Sequence, residues 1–131
     1  MRLTSIGVDI VSVPRIARLH ARYGDRFLER AFHIREAAIA TSMPAPRAAT
    51  FLAARWAAKE ALHKAVGSRR LLFPEIEVAN DPSGAPAFLL HGAAHEWAVH
   101  ERFSATLSLS HEDNFAIAFV IAGRGFQLLT S

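Results

Sequence analysis

The 131-residue chain contains no cysteine, which excludes a disulfide scaffold, a thiolate metal centre and a cysteine nucleophile. That absence points to a reducing, intracellular setting. Tyrosine occurs once and tryptophan twice, without basic–aromatic interleaving, so a base-stacking platform for nucleic acid is not expected. Long apolar runs are missing too. The longest, from Phe115 to Gly123, is far short of the roughly 18 residues that a membrane-spanning helix needs. Met1-Arg2-Leu3-Thr4-Ser5 offers neither the apolar core nor the cleavage site of a secretion signal. The expectation is a soluble, cytoplasmic protein with no membrane partner. With 51% apolar and 21% charged residues the composition is that of a folded chain, and the length is that of one domain spanning residues 1–131.

The formal charge of +3 is not evenly spread. Residues 1–35 carry Arg2, Arg15, Arg18, Arg22, Arg26, Arg30 and Arg35 against Asp9, Asp25 and Glu29, so all the excess lies there. An arginine-rich face of this kind steers and docks a polyanion or an acidic protein surface, unless it is only a solvated helix side.

Leu3 to Val13 reads as a strand with one acid, Asp9, inside it. Ser12 is a candidate N-cap and Pro14 a first helical residue, so a helix is expected to about Arg22. Shorter helices follow over Asp25 to Phe32 and Ile34 to Ala40, then a proline loop, Met43-Pro44-Ala45-Pro46. The strongest helical signal runs from Arg47 to Val66 and is closed by Gly67. Glu75–Ala79 and Pro86–Leu90 form an expected hairpin around Asn80-Asp81-Pro82-Ser83-Gly84. A helix over Ala93–Glu101 and a second hairpin, Phe103–His111 with Phe115–Ala122, complete the chain. Hairpins imply antiparallel pairing, so the fold class is α+β, a small sheet packed on one long helix.

On the long helix Ala54, Ala57, Ala58, Ala61 and Ala65 share one side, small enough for close packing on the sheet. Arg55 and Lys59 project between Leu52, Leu62 and Val66, where a cation needs an anion, either a carboxylate of the protein or a ligand. Asp9, flanked by Val8, Ile10 and Val11, raises the same question with opposite sign. His95-Glu96-Trp97-Ala98-Val99-His100 spaces its histidines five apart and is not the H-E-x-x-H zinc helix.

Three motifs in order resemble the holo-acyl-carrier-protein synthases, of the 4′-phosphopantetheinyl transferase type. They are Ile6-Gly7-Val8-Asp9-Ile10-Val11 with Arg15-Ile16, the W/F-x-x-K-E-A-x-x-K helix over Trp56 to Lys64, and Ser108-Leu109-Ser110-His111. Arg26 to Arg30 and Asn80 to Pro86 match in order and spacing, so the resemblance covers roughly residues 5–122. It implies transfer of the 4′-phosphopantetheine arm of coenzyme A to a serine of an acyl carrier protein. It further implies magnesium held by Asp9 and Glu60, with Glu60 or a magnesium-bound water taking the serine proton. Lys59 is assigned to the departing phosphate and Lys64 to the pyrophosphate. Arg55, Ser110 and His111 are assigned to coenzyme A. Arg15 falls on the carrier-binding arginine, Arg26 and Arg30 lie in the following basic helix, and Arg18 and Arg22 join by helical spacing with Arg15. A homotrimer with sites between subunits is implied as well. The loop Ser42 to Pro46 lacks the lysines common in the family, and Ala85 replaces a common basic residue. The rival reading is a non-catalytic basic module that docks an acidic protein or nucleic acid.

Overall fold

Alternation along the first strand decides which side of the molecule each residue serves. In β1 (Thr4–Ser12) Gly7 and Val11 are buried and Asp9 half-buried, while Ile6, Val8 and Ile10 face outward. The computed structural model describes residues 4–67 and 71–125, so Leu3, the expected strand start, lies outside the described residues. The Ser12 side chain caps α1 (Val13–Tyr23) by accepting from the Arg15 amide at 3.3 Å, with Pro14 in the first turn. Helices α2 (Asp25–Ala31) and α3 (Ile34–Thr41) follow as expected.

The long helix α4 (Ala45–Val66) starts two residues earlier than expected, because Pro46 sits in its first turn, where a missing N–H costs nothing. A short 3-10 turn, Phe73–Glu75, was not anticipated. It leads into β2 (Ile76–Asn80), paired with β3 (Pro86–Leu90), and then α5 (Gly92–His100). Strands β4 (Phe103–Glu112) and β5 (Phe115–Arg124) close over the two-residue turn Asp113-Asn114, Asp113 taking a positive φ of 47°.

Among the described residues there are two antiparallel sheets rather than one: β1-β5-β4, and the separate β2-β3 ribbon. Both fit the expected α+β class. In the larger sheet Asp9 and Leu109 flank Ala118, and Val11 and His111 flank Ala116. Ala116, Ala118, Val120 and Ala122 pack with the fully buried Ala57, Ala58 and Ala61 of α4. The approach is closest at Gly7, where an added Cβ would stand 1.9 Å from the Ala61 carbonyl oxygen. Two residues earlier on the same strand, the Ser5 hydroxyl donates to the Ala65 carbonyl at 2.6 Å.

Among the described residues nothing covers the opposite face of this sheet. Ile6, Val8, Ile10, Phe115, Ile117, Phe119 and Ile121 are each between 38% and 62% exposed, a contiguous apolar surface of the kind that marks an interaction site. Among the described residues no helix is long and apolar enough to cross a membrane.

Candidate active site

Helix α4 has two charged sides. Successive residues turn by about 100°, so Lys59 and Glu60 diverge although they are neighbours in sequence, while Glu60 and Lys64 stand one above the other. The strand–helix contact at Gly7 brings Asp9 to the second side. The Lys64 ammonium donates to the Asp9 carboxylate at 3.2 Å and to the Val8 carbonyl at 2.9 Å. Lys64 therefore turns to Asp9 and not to Glu60, the partner that its spacing on the helix suggests. Two carboxylates and one lysine, from elements more than fifty residues apart in sequence, share one side of α4.

Glu60 has no hydrogen-bond or ion-pair partner among the described residues. It opens into a cleft of about 710 Å³. Arg15, Arg26 and Arg30 line that cleft from α1 and α2, opposite Leu72, Phe73 and Pro74. Its apolar base is built by ring contacts: Trp56 stacks on Phe27 at 5.9 Å and meets the edge of Phe73 at 5.3 Å. His63 hydrogen-bonds the Leu71 carbonyl at 2.7 Å and steadies the same wall. Arg18 and Arg22 do not line the cleft; Arg22 lies 5.2 Å over the Tyr23 ring.

Lys59 does not reach this side. It is 0% exposed, and its three N–H donors are taken by the Ala31 carbonyl at 3.0 Å, the Phe73 carbonyl at 3.0 Å and the Glu36 carboxylate at 2.5 Å. Burial pushes its ammonium down to about 8, with Glu36 opposing the shift. The departing phosphate was the expected partner of Lys59; here all three of its donors go to acceptors of the protein. The anion it requires is a carboxylate of the protein. Glu36 was missed in the sequence, although a carboxylate three residues after a helix cap is a recognisable signal: His33 caps α3 and Glu36 accepts from the His33 amide at 2.8 Å.

Arg55 stands nine residues before Lys64, half a turn around α4. Its guanidinium lies 4.0 Å over the Phe51 ring, and its Nε is buried with no hydrogen-bond partner. Burial lowers its pKa, a sign that its charge is poorly compensated within the chain. Ser110 and His111 are exposed at the end of β4. Ser110 pairs with Ile117 and shares the bare face of the sheet with Ile10; His111 turns the other way, two strands from Val11. One chain therefore unites Asp9, Glu60, Lys64, Arg15, Arg26 and Arg30, but not Arg55, Ser110 or His111.

A second cluster was not foreseen. His33, Glu77 and His91 bring their ligand atoms within 4.8 Å of one another. The Glu77 carboxylate already accepts three hydrogen bonds from the Arg35 guanidinium and one from His91 at 2.9 Å, and the two imidazoles stack at 4.3 Å. Burial works to raise the Glu77 pKa, yet Arg35 and His91 outweigh it and hold the group below its usual range. The mixed nitrogen and carboxylate set is foreign to magnesium, which prefers oxygen donors, and an arginine fills its open side. The cluster ties α3, β2 and α5 together.

The model of the 4′-phosphopantetheinyl transferase superfamily matches residues 5–120. A holo-[acyl-carrier-protein] synthase of Alkalilimnicola ehrlichii is 42% identical over 125 residues, covering 91% of this chain and 95% of the relative. Among solved structures, the holo-[acyl-carrier-protein] synthase of Neisseria meningitidis superposes with a TM-score of 0.81 at 35% identity, covering 90% of this chain and 96% of that one. A holo-(acyl-carrier-protein) synthase from Bacillus anthracis, solved in complex with CoA (3′,5′-ADP), gives 0.78 at 32% identity over 95% of this chain and all of that one. The motif order, the α+β fold and the Asp9–Lys64–Glu60 side of α4 converge with these likenesses: the chain belongs to the 4′-phosphopantetheinyl transferase superfamily.

Proposed function

We propose that this enzyme transfers the 4′-phosphopantetheine arm of coenzyme A to a serine of an acyl carrier protein, releasing adenosine 3′,5′-bisphosphate. The observation that carries the reading is the pairing of a carboxylate–lysine–carboxylate side of α4 with an arginine-lined cleft into which Glu60 opens. Attack of an alcohol on a diphosphate asks for positioning and charge neutralisation more than for covalent chemistry.

The donor chemistry fits magnesium. Asp9 and Glu60 offer hard oxygens, and Glu60 is a half-buried carboxylate without a partner among the described residues. Those two residues would hold the ion, whose charge, when bound, offsets that of the diphosphate. Lys64 adds a second positive charge beside Asp9. Glu60, which lines the cleft, or a magnesium-bound water beside it would accept the serine proton. Arg15, Arg26 and Arg30 present cations along the route by which an acidic carrier surface enters, with Arg18 and Arg22 widening that field. A cytoplasmic location belongs to the same reading.

Self-association into a homotrimer, with sites between subunits, is part of the proposal. Arg55, Ser110 and His111 are assigned to the same coenzyme A as Asp9 and Glu60, yet in a single chain Arg55 lies half a turn around α4 from Lys64, Ser110 faces the other side of the sheet and His111 stands two strands from β1. A neighbouring copy seated on the bare Ile6–Val8–Ile10 and Phe115–Ile121 face would bring such groups together.

The test is direct. Apo-carrier protein incubated with coenzyme A, magnesium and this enzyme should gain the mass of the phosphopantetheine arm on one serine. No mass gain under any divalent cation would overturn the assignment.

A further inference from the structure

The buried ammonium of Lys59 lies between the two walls of the cleft that Glu60 opens into. One of its acceptors, the Ala31 carbonyl, ends α2, the wall that carries Arg26, Phe27 and Arg30. Another, the Phe73 carbonyl, belongs to the 3-10 turn, the facing wall with Leu72 and Pro74. The third acceptor, Glu36, is itself anchored: its second oxygen accepts from the Val78 amide of β2 at 2.9 Å, and its first also accepts from the His33 amide. One lysine and one glutamate thus join α4, α2, α3, the 3-10 turn and β2 through directional bonds.

Apolar packing alone would leave this spacing soft, because the Phe27–Trp56–Phe73 rings can slide against one another, whereas a saturated ammonium fixes each carbonyl at hydrogen-bond length. Buried ion pairs are weak sources of net stability, and their best-attested use is to specify one arrangement over others. The arrangement specified here is the width of the cleft and the orientation of Glu60, the residue next to Lys59.

We propose that Lys59 and Glu36 form a positioning pair that sets the gap between the α2 wall and the Leu72–Pro74 wall for entry of the carrier-protein serine, and that Lys59 has no contact with the transferred phosphates. The inference rests on the reading of this cleft as the carrier-protein entrance.

The sequence makes the test clean, since Lys59 and Lys64 are the two lysines in the chain. Protein carrying isotopically labelled lysine gives two side-chain signals in NMR. Coenzyme A with magnesium should move the Lys64 signal and leave Lys59 in place; a Lys59 shift comparable to that of Lys64 overturns the proposal. Kinetics supply the second arm. In Lys59→Met/Glu36→Gln, which removes the buried charge pair together, the carrier-protein KM should rise about tenfold, with coenzyme A KM within twofold of wild type. Lys59→Arg, which keeps donors for the two carbonyls, should recover part of that loss. A hundredfold fall in kcat at unchanged carrier KM would assign Lys59 to the chemistry. Wild-type kinetics in a folded double variant would leave the pair with no positioning role. If the double variant does not fold, the Lys59 signal on addition of apo-carrier protein decides: a shift reports the gap adjusting around the carrier, and its absence overturns the proposal. Failure of the wild-type enzyme to load any carrier protein would fault the functional reading and leave the Lys59 signal as a separate result.

Discussion

The two charged sides of α4 are built on opposite terms. On the Lys59 side every donor and acceptor is matched: ammonium, carboxylate, two carbonyls and two amides form a closed set with no exposed atom on Lys59. On the Glu60 side one carboxylate is paired to a half-exposed lysine and the other has no partner among the described residues and lines an open cleft. A closed set resists change and offers nothing to a ligand. An open one costs stability and offers two oxygens and a cation. The consecutive Lys-Glu pair of one motif therefore divides into a closed half and an open half, separated by a turn of about 100°.

The largest expected effect falls on the closed side. Glu36→Ala leaves a buried ammonium without its counter-charge and the His33 and Val78 amides without an acceptor, and should cost about 3–5 kcal/mol of stability, read in chemical denaturation. Loss of less than 1 kcal/mol would mean that the set is not closed. The open side should behave inversely. Glu60→Gln or Asp9→Ala is expected to lower transfer by at least about 100-fold while the unfolding midpoint stays near wild type, as removal of a metal ligand does. Near-native turnover would take either residue out of the site. At the rim of the open side, Arg15→Glu should raise the carrier-protein KM about tenfold at low salt with coenzyme A KM little changed, because a rim charge acts mainly on docking. An unchanged carrier KM removes Arg15 from the docking surface.

The smallest effect concerns the cluster that supports the closed side from behind. Burial holds His33 below its ordinary value of 6.5, so the folded state binds fewer protons than the unfolded chain as pH falls past that value. Stability should decline below pH 6.5, and decline again below pH 4.5 as Glu77, also held low, is forced to protonate. His33→Asn, which keeps a capping acceptor for α3, should flatten the first decline and leave the second. Melting curves between pH 4 and 7.5 check both.

Most of the fold was legible because its signals are local. Ser12 and Pro14 mark the start of α1, Gly67 closes α4, and the alternation in Phe103–His111 and Phe115–Ala122 gives the hairpin its period. The 3-10 turn at Phe73 was not legible: its geometry is tied to a hydrogen bond from Lys59, fourteen residues away. Of the candidate site, Asp9, Glu60 and Lys64 were named through the family resemblance, and the lopsided arginines through charge counting. The surroundings of Lys59 were not legible for a physical reason. A lysine among apolar neighbours needs an anion, and sequence alone could not say whether that anion is a carboxylate of the protein or a ligand. The structure pairs it with Glu36. Ser110 and His111 show the complementary limit, since alternation places adjacent residues on opposite faces of a strand, and only the register with β5 tells which face holds which.

Gly7 carries one further consequence. With no side chain between β1 and α4, the span from Asp9 to Lys64 is gauged by main chain against main chain. Exchanges among the alanines and valines elsewhere in the interior leave that gauge untouched, so this reach is insulated from drift in the surrounding packing.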